Sequence, residues 1–440
     1  MSAASFNAVP LRTKLLYGFG GFGAEALNQS RTAWLIYFYA PPDDADRNQI
    51  LGRTLVTVLL FAGRLIEAFD DLLIGYWSDR TRSRFGRRIP FILAGAPLWA
   101  LSALLIFVPP AHSGTLVTAG YFFVVLQVFF LTATISGVPY EALLPEIAGT
   151  TAERVSVSGY RVAIGIAGAG VGLIGSGLMV SLFGFTGMAA TISVLALASR
   201  YAGVAGVWKR STGISPSEGL SFRGAIRATL TNRHYIILMP SWMLFQTGLG
   251  MLIGVLPFYA TAILEKEDEG LWASILTAAA IASTAVMLPV FVWLAGRTSP
   301  GRAYGSAMLM AAVAFPLLAL PGLFSGIPVT GHALLTLLLV GAPVAAVYIF
   351  PGPLIADIAD QDLETSGIRR EGTFYAGQTT VDKTVGSLSP LLLGLILLLG
   401  NTADAPLGVR LVGPAAGALA LIAFIVFRRF DLPARSTAVG

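Results

Sequence analysis

The chain lacks cysteine altogether, and its 440 residues include only three histidines and four lysines. Without cysteine there are no disulfides, thiolate metal sites or thiol chemistry. His112, His234 and His332 have no metal-ligand spacing and lie near the ends of apolar runs. Charge is scarce as well, at 12% of residues, against about 25% in a soluble domain. Hydrophobic residues make up 55% and the mean hydropathy is +0.74. Such a chain belongs in a bilayer. Its net charge of +5 does not indicate nucleic acid, because the arginines cluster in short loops between apolar runs. No nucleophile–base pair, metal set or nucleotide loop is visible, so an enzyme is not expected and no cofactor is implied.

The apolar runs predict twelve helical spans, at about 15–40, 50–78, 90–110, 116–144, 158–184, 187–207, 234–263, 271–296, 302–324, 331–356, 372–400 and 408–428. The fifth is dense in glycine from Gly165 to Gly177, which lets helices approach closely. Basic residues gather after span 2 (Arg80 to Arg88), between spans 6 and 7, after span 8 and at both ends. The alternate loops carry Asp43, Asp44 and Asp46, or Glu265, Glu267, Asp268 and Glu269. The positive-inside rule then puts both termini in the cytoplasm. The polar segment 208–233 reads as a cytoplasmic linker between a six-helix half, 1–207, and a second, 234–440. Arginine-rich segments with a Gly-Arg pair follow both span 2 and span 8, as in a repeat transporter.

Glu67, Asp70 and Asp71 are the most informative side chains. Spacings of three and four set them on one helical face inside span 2. One carboxylate at membrane depth costs roughly 2.5–3.5 kcal/mol on insertion scales, and neighbours repel it further. Protonation or a bound cation relieves that cost, so the cluster is a candidate Na⁺ or H⁺ site. Glu67 and Asp71 supply the oxygen ligands that a hard cation prefers. The alternative is a buried ion pair with Arg64, three residues before Glu67. One arginine does not neutralise three acids.

Other polar groups lie inside spans. Glu25 sits well within span 1, with Asn28, Gln29 and Thr32 on the same face. Lys383 lies in the middle of span 11 with Gln378, Thr379 and Asp382 around it. Adjacent residues on a helix do not face each other, so Asp382 and Lys383 look to partners on other helices. Trp242 and Gln246, a turn apart on span 7, fit either cavity lining or packing.

The loop Gly75-x-x-x-Asp79-Arg80-Thr81-x-x-x-x-Gly86-Arg87-Arg88 resembles the helix 2–3 loop of the major facilitator superfamily. Arg64-x-x-Glu67-x-x-Asp70-Asp71 narrows the resemblance to its glycoside–pentoside–hexuronide:cation symporters. Lys14 to Gly20, Val138 to Glu146, and Asp357-Ile-Ala-Asp360 with Arg369-Arg370-Glu371-Gly372 look like further stretches of that family. The resemblance implies a twelve-helix, all-α integral membrane fold and a monomer in the inner (plasma) membrane, moving a sugar or glycoside with Na⁺ or H⁺. It implies a cation site at Glu67, Asp71 and Thr134, joined by Asp70. Substrate contacts are implied at Glu25, Arg161 and Lys383. Gly137, Glu141 and Ala133 stand where galactoside-binding members carry an aspartate, a tryptophan and a tyrosine. A lysolipid-like amphipathic solute, or export in place of uptake, is therefore the alternative. Asp79, Arg80, Arg87, Arg88, Glu146, Asp357, Asp360, Arg369 and Arg370 are expected to form gating salt bridges between the halves.

Overall fold

The computed structural model describes residues 9–45, 47–81, 83, 85, 88–148, 151–208, 232–366 and 371–430. Among them the regular structure is helical: α1 (Leu11–Tyr39), α2 (Arg53–Arg80), α3 (Ile89–Ile106), α4 (Thr115–Glu141), the one-turn α5 (Leu144–Ile147), α6 (Thr151–Gly170) and α7 (Ser176–Val207), then α8 (Arg233–Ala262), α9 (Glu269–Arg297), α10 (Pro300–Ala314), α11 (Val329–Ile349), α12 (Pro351–Ser366), α13 (Glu371–Leu397) and α14 (Leu407–Phe427). A π turn, Val171–Gly175, joins α6 to α7. Eight helical stretches of the described residues are long and apolar enough to cross a membrane. The charged α1, α2 and α13 are not among them.

Local chemistry sets several boundaries. The Asn232 side chain accepts from the backbone N–H groups of His234 and Tyr235, capping α8. Ser299 accepts from the Arg302 N–H, with Pro300 at the first position of α10. Gly184, at φ 69°, breaks α7 between the fifth and sixth expected spans. The expected span 331–356 is divided instead. α11 stops at Ile349, and Pro351, which has no N–H to donate, opens α12. Asp357, Asp360, Asp362 and Glu364 consequently lie on α12.

The chain divides into two compact units. One comprises Met1–Pro41, Arg47–Glu218 and Asp268–Ser274; the other comprises Pro42–Asp46, Gly219–Glu267 and Ile275–Gly440. In the first, α1 packs against α6 and α7. A Cβ at Gly168 or Gly172 would strike the backbone carbonyl of Phe22 or Ala26, so the glycines set the closeness of this approach. Trp34 donates from Nε1 to the Ser176 hydroxyl at 2.9 Å, and the Tyr17 and Tyr140 rings stack at 5.0 Å. In the second unit, α8 is the central helix and packs against α13 and α14. The Tyr39 hydroxyl donates to the Ile106 carbonyl at 2.6 Å, and the Tyr259 hydroxyl donates to the Leu318 carbonyl at 3.1 Å. The first helix of each unit thus ties its far end to a neighbour in the same way.

Candidate functional site

Within the first unit, α2 packs against α4, and Glu67 is buried. Arg64 Nη1 lies 2.6 Å from Glu67 Oε2, with side-chain exposures of 12% and 6%. The Arg64 guanidinium also lies over the Phe130 ring, 4.4 Å from its centroid. Phe130 and Thr134 are a turn apart on α4, and Thr134 is buried. Asp70 is half-buried. The side chain of Asp71 lies outside the described residues. Among those described, no group of three or more Asp, Glu, His or Cys converges as a metal site.

The ion pair with Arg64 does form, and a second arginine joins it. Arg31 on α1 is 8% exposed. Its guanidinium lies 5.7 and 5.9 Å from the Phe129 and Phe130 rings, the second of which the Arg64 guanidinium also covers. Arg31 is absent from the residues expected at the site, although it falls beside the polar stripe of Glu25, Asn28, Gln29 and Thr32. A lone arginine inside an apolar span is the signal that points to it.

A second polar cluster opens where α1, α4 and α6 meet. Arg161 Nη2 donates to Glu141 Oε1 at 2.6 Å, and both side chains are partly exposed. Arg161 is therefore ion-paired across to α4. Glu25 is exposed, and its Cγ lies near Gly165, one turn beyond Arg161. Arg200 on α7 is buried, with its guanidinium 4.4 Å from the Tyr140 ring centroid. Sequence spacing identifies neither Glu141 as a partner nor Arg200, because their neighbours come from different helices.

In the second unit, Trp242 is buried on α8 and donates from Nε1 to Asp382 Oδ1 on α13 at 2.7 Å. Asp382 does have a partner on another helix, and that partner is an indole. The Asp382 side chain is exposed, whereas Lys383, Gln378 and Gln246 are half-buried. The side chain of Thr379 lies outside the described residues.

Arg88 Nη1 meets Glu146 Oε1 at 2.9 Å, with side-chain exposures of 11% and 3%, and also donates to the Ala142 carbonyl. Arg88 precedes α3 and Glu146 lies on α5, so this bridge is internal to the first unit and does not join the halves as expected. The short α5 and the turn before it bring Glu146 back to the start of α3. Asp357 and Asp360 are half-buried on α12. Arg87, Arg369, Arg370 and the side chains of Asp79 and Arg80 lie outside the described residues.

Residues 16–426 match the family model described as MFS/sugar transport protein. An uncharacterized symporter of Synechocystis sp. is 25% identical, over 88% of this chain and 85% of its own length. The isoprimeverose transporter of Lactiplantibacillus pentosus is 22% identical over 70% of this chain and 64% of its own. The sodium-dependent lysophosphatidylcholine symporter 1 of Mus musculus is 34% identical, over 26% of this chain and 22% of its own. The crystal structure of nucleoside transporter NupG superposes with a TM-score of 0.64 at 12% identity, covering 95% of this chain and 98% of that one. That likeness establishes the fold alone. Helical architecture, family match and relatives agree: the chain is an integral, multi-pass membrane transporter belonging to the MFS/sugar transport protein family, in its glycoside–pentoside–hexuronide:cation symporter-like branch.

Proposed function

We propose that this protein is a Na⁺- or H⁺-coupled symporter that moves a sugar or glycoside by alternating access. The observation that carries the reading is the acidic turn of α2. Glu67 is buried in a membrane helix beside Arg64, and Asp70 and Asp71 follow within one turn. A cation or proton relieves the cost of holding carboxylates at membrane depth, and Thr134 adds a hydroxyl oxygen.

Several side chains are substrate contacts in this reading. Glu25, Arg161 and Glu141 offer acceptors and donors for hydroxyl groups. Trp242, Gln246, Gln378, Thr379, Asp382 and Lys383 are further proposed contacts. Ion binding raises affinity for the substrate, and the gain is reciprocal. The frame is twelve spans in the inner membrane, with both termini cytoplasmic and the chain monomeric. Asp79, Arg80, Arg87, Asp357, Asp360, Arg369 and Arg370 are the proposed gating charges, with Arg88 and Glu146 bracing the first unit.

A second reading, a lysolipid or other amphipathic substrate, is favoured by the stretch shared with sodium-dependent lysophosphatidylcholine symporters and by Gly137 at a galactoside-binding position. A thermal-shift screen of sugars, glycosides and lysolipids, with and without Na⁺, separates the two classes. Uptake of the hit into proteoliposomes under imposed Na⁺ or H⁺ gradients then tests symport. Accumulation indifferent to both gradients contradicts it.

A further inference from the structure

Arg31 on α1 and Ser193 on α7 line one cavity in the core of the first unit, and the transport reading uses neither. The rest of the wall is apolar apart from Ser30, with Ile106, Phe129 and Ile192 among its members. Arg31 lies eight residues before α1 ends at Tyr39, about 12 Å along the axis at 1.5 Å per residue. Arg31 is 8% exposed and Ser193 5%. Arg31 Nε and Ser193 Oγ are both enclosed without a hydrogen-bond partner.

Among the described residues Arg31 has no ion pair, and its guanidinium lies 5.7 and 5.9 Å from the Phe129 and Phe130 rings. A buried donor left unsatisfied is costly, and a buried charge without an opposite partner is more so. An arginine Nε–H only donates, and a serine hydroxyl donates as readily as it accepts. One occupant that satisfies both groups is therefore an acceptor. The cavity has room for a single sphere of about water's size. Water meets the hydrogen-bond demand alone. A monatomic anion meets that demand and also the charge of Arg31.

We propose that this cavity is a chloride site. Arg31 Nε and the Ser193 hydroxyl donate to the ion, and the apolar wall keeps competing water away. Ser30 is not needed as a donor, because its hydroxyl is engaged with the Leu27 carbonyl at 3.0 Å. The ion joins α1 to α7 and so strengthens the packing of the first unit. The site is independent of cation coupling: it uses neither the carboxylates of α2 nor a substrate contact.

The test is ³⁶Cl⁻ binding to purified full-length protein in potassium salts at pH 8, with gluconate as the replacing anion and no Na⁺ present. Wild type is expected to bind one chloride per chain, saturably, and to melt several degrees higher in KCl than in potassium gluconate. Arg31→Met loses both effects. Ser193→Ala keeps the charge and removes one donor, weakening chloride affinity about tenfold; it decides alone where Arg31→Met does not fold. Wild type without saturable binding, melting equally in the two salts, means a cavity that holds water only and overturns the proposal. Saturable binding that either variant leaves unchanged puts the chloride elsewhere and overturns it too. Neither result touches the coupling site, which is read with Na⁺ and H⁺.

Discussion

Arg161 Nη2 and Glu141 Oε1 lie 2.6 Å apart across the gap between α6 and α4. Arg161, a proposed substrate contact, is thus tethered by the Glu141 carboxylate. Both side chains are partly exposed, and a pair of this kind adds only about 0–1 kcal/mol to stability. Its effect is positional. Glu141→Gln is expected to leave the melting temperature nearly unchanged while weakening substrate affinity several-fold, read as a rise in KM for uptake. An unchanged KM means that Arg161 does not depend on its tether.

The Trp242–Asp382 hydrogen bond makes a different prediction. Trp242→Phe keeps the buried ring and removes the donor. Water reaches the exposed carboxylate and replaces the indole, so the stability loss stays near about 1 kcal/mol. Asp382 loses its orientation, and substrate-induced protection from thermal unfolding should shrink. Full protection in Trp242→Phe removes this pair from the binding surface.

Arg88 and Glu146 should behave oppositely to the exposed pair. Both are nearly buried. Arg88→Met leaves the Glu146 charge without its partner, at about 3–5 kcal/mol. Arg88→Met combined with Glu146→Leu removes both charges and should recover most of that loss. A double-mutant cycle on thermal unfolding measures the coupling. Additive losses contradict a buried bridge.

Much of this architecture is legible in the order of residues. Apolar runs locate the helices, and Gly184 breaks the chain between two expected spans. The carboxylates at 67, 70 and 71 are visible because helical spacing alone aligns them. Sequence spacing does not register meetings between distant helices. Glu141 and Arg161 are twenty residues apart on separate helices, and Trp242 finds Asp382 across 140 residues of chain. Arg31 is a readable signal that the polar stripe around it masks. Pro351 divides a run whose apolar content looks continuous.

The central claim is that the carboxylates on α2 carry the coupling ion. Its most direct measurement compares gradient-driven accumulation with equilibrium exchange in proteoliposomes of Glu67→Gln/Asp71→Asn, using the substrate identified by the screen. The account predicts that accumulation above equilibrium is lost while the protein stays folded and still exchanges substrate. Wild-type accumulation in that variant, under the same Na⁺ or H⁺ gradient, would contradict it.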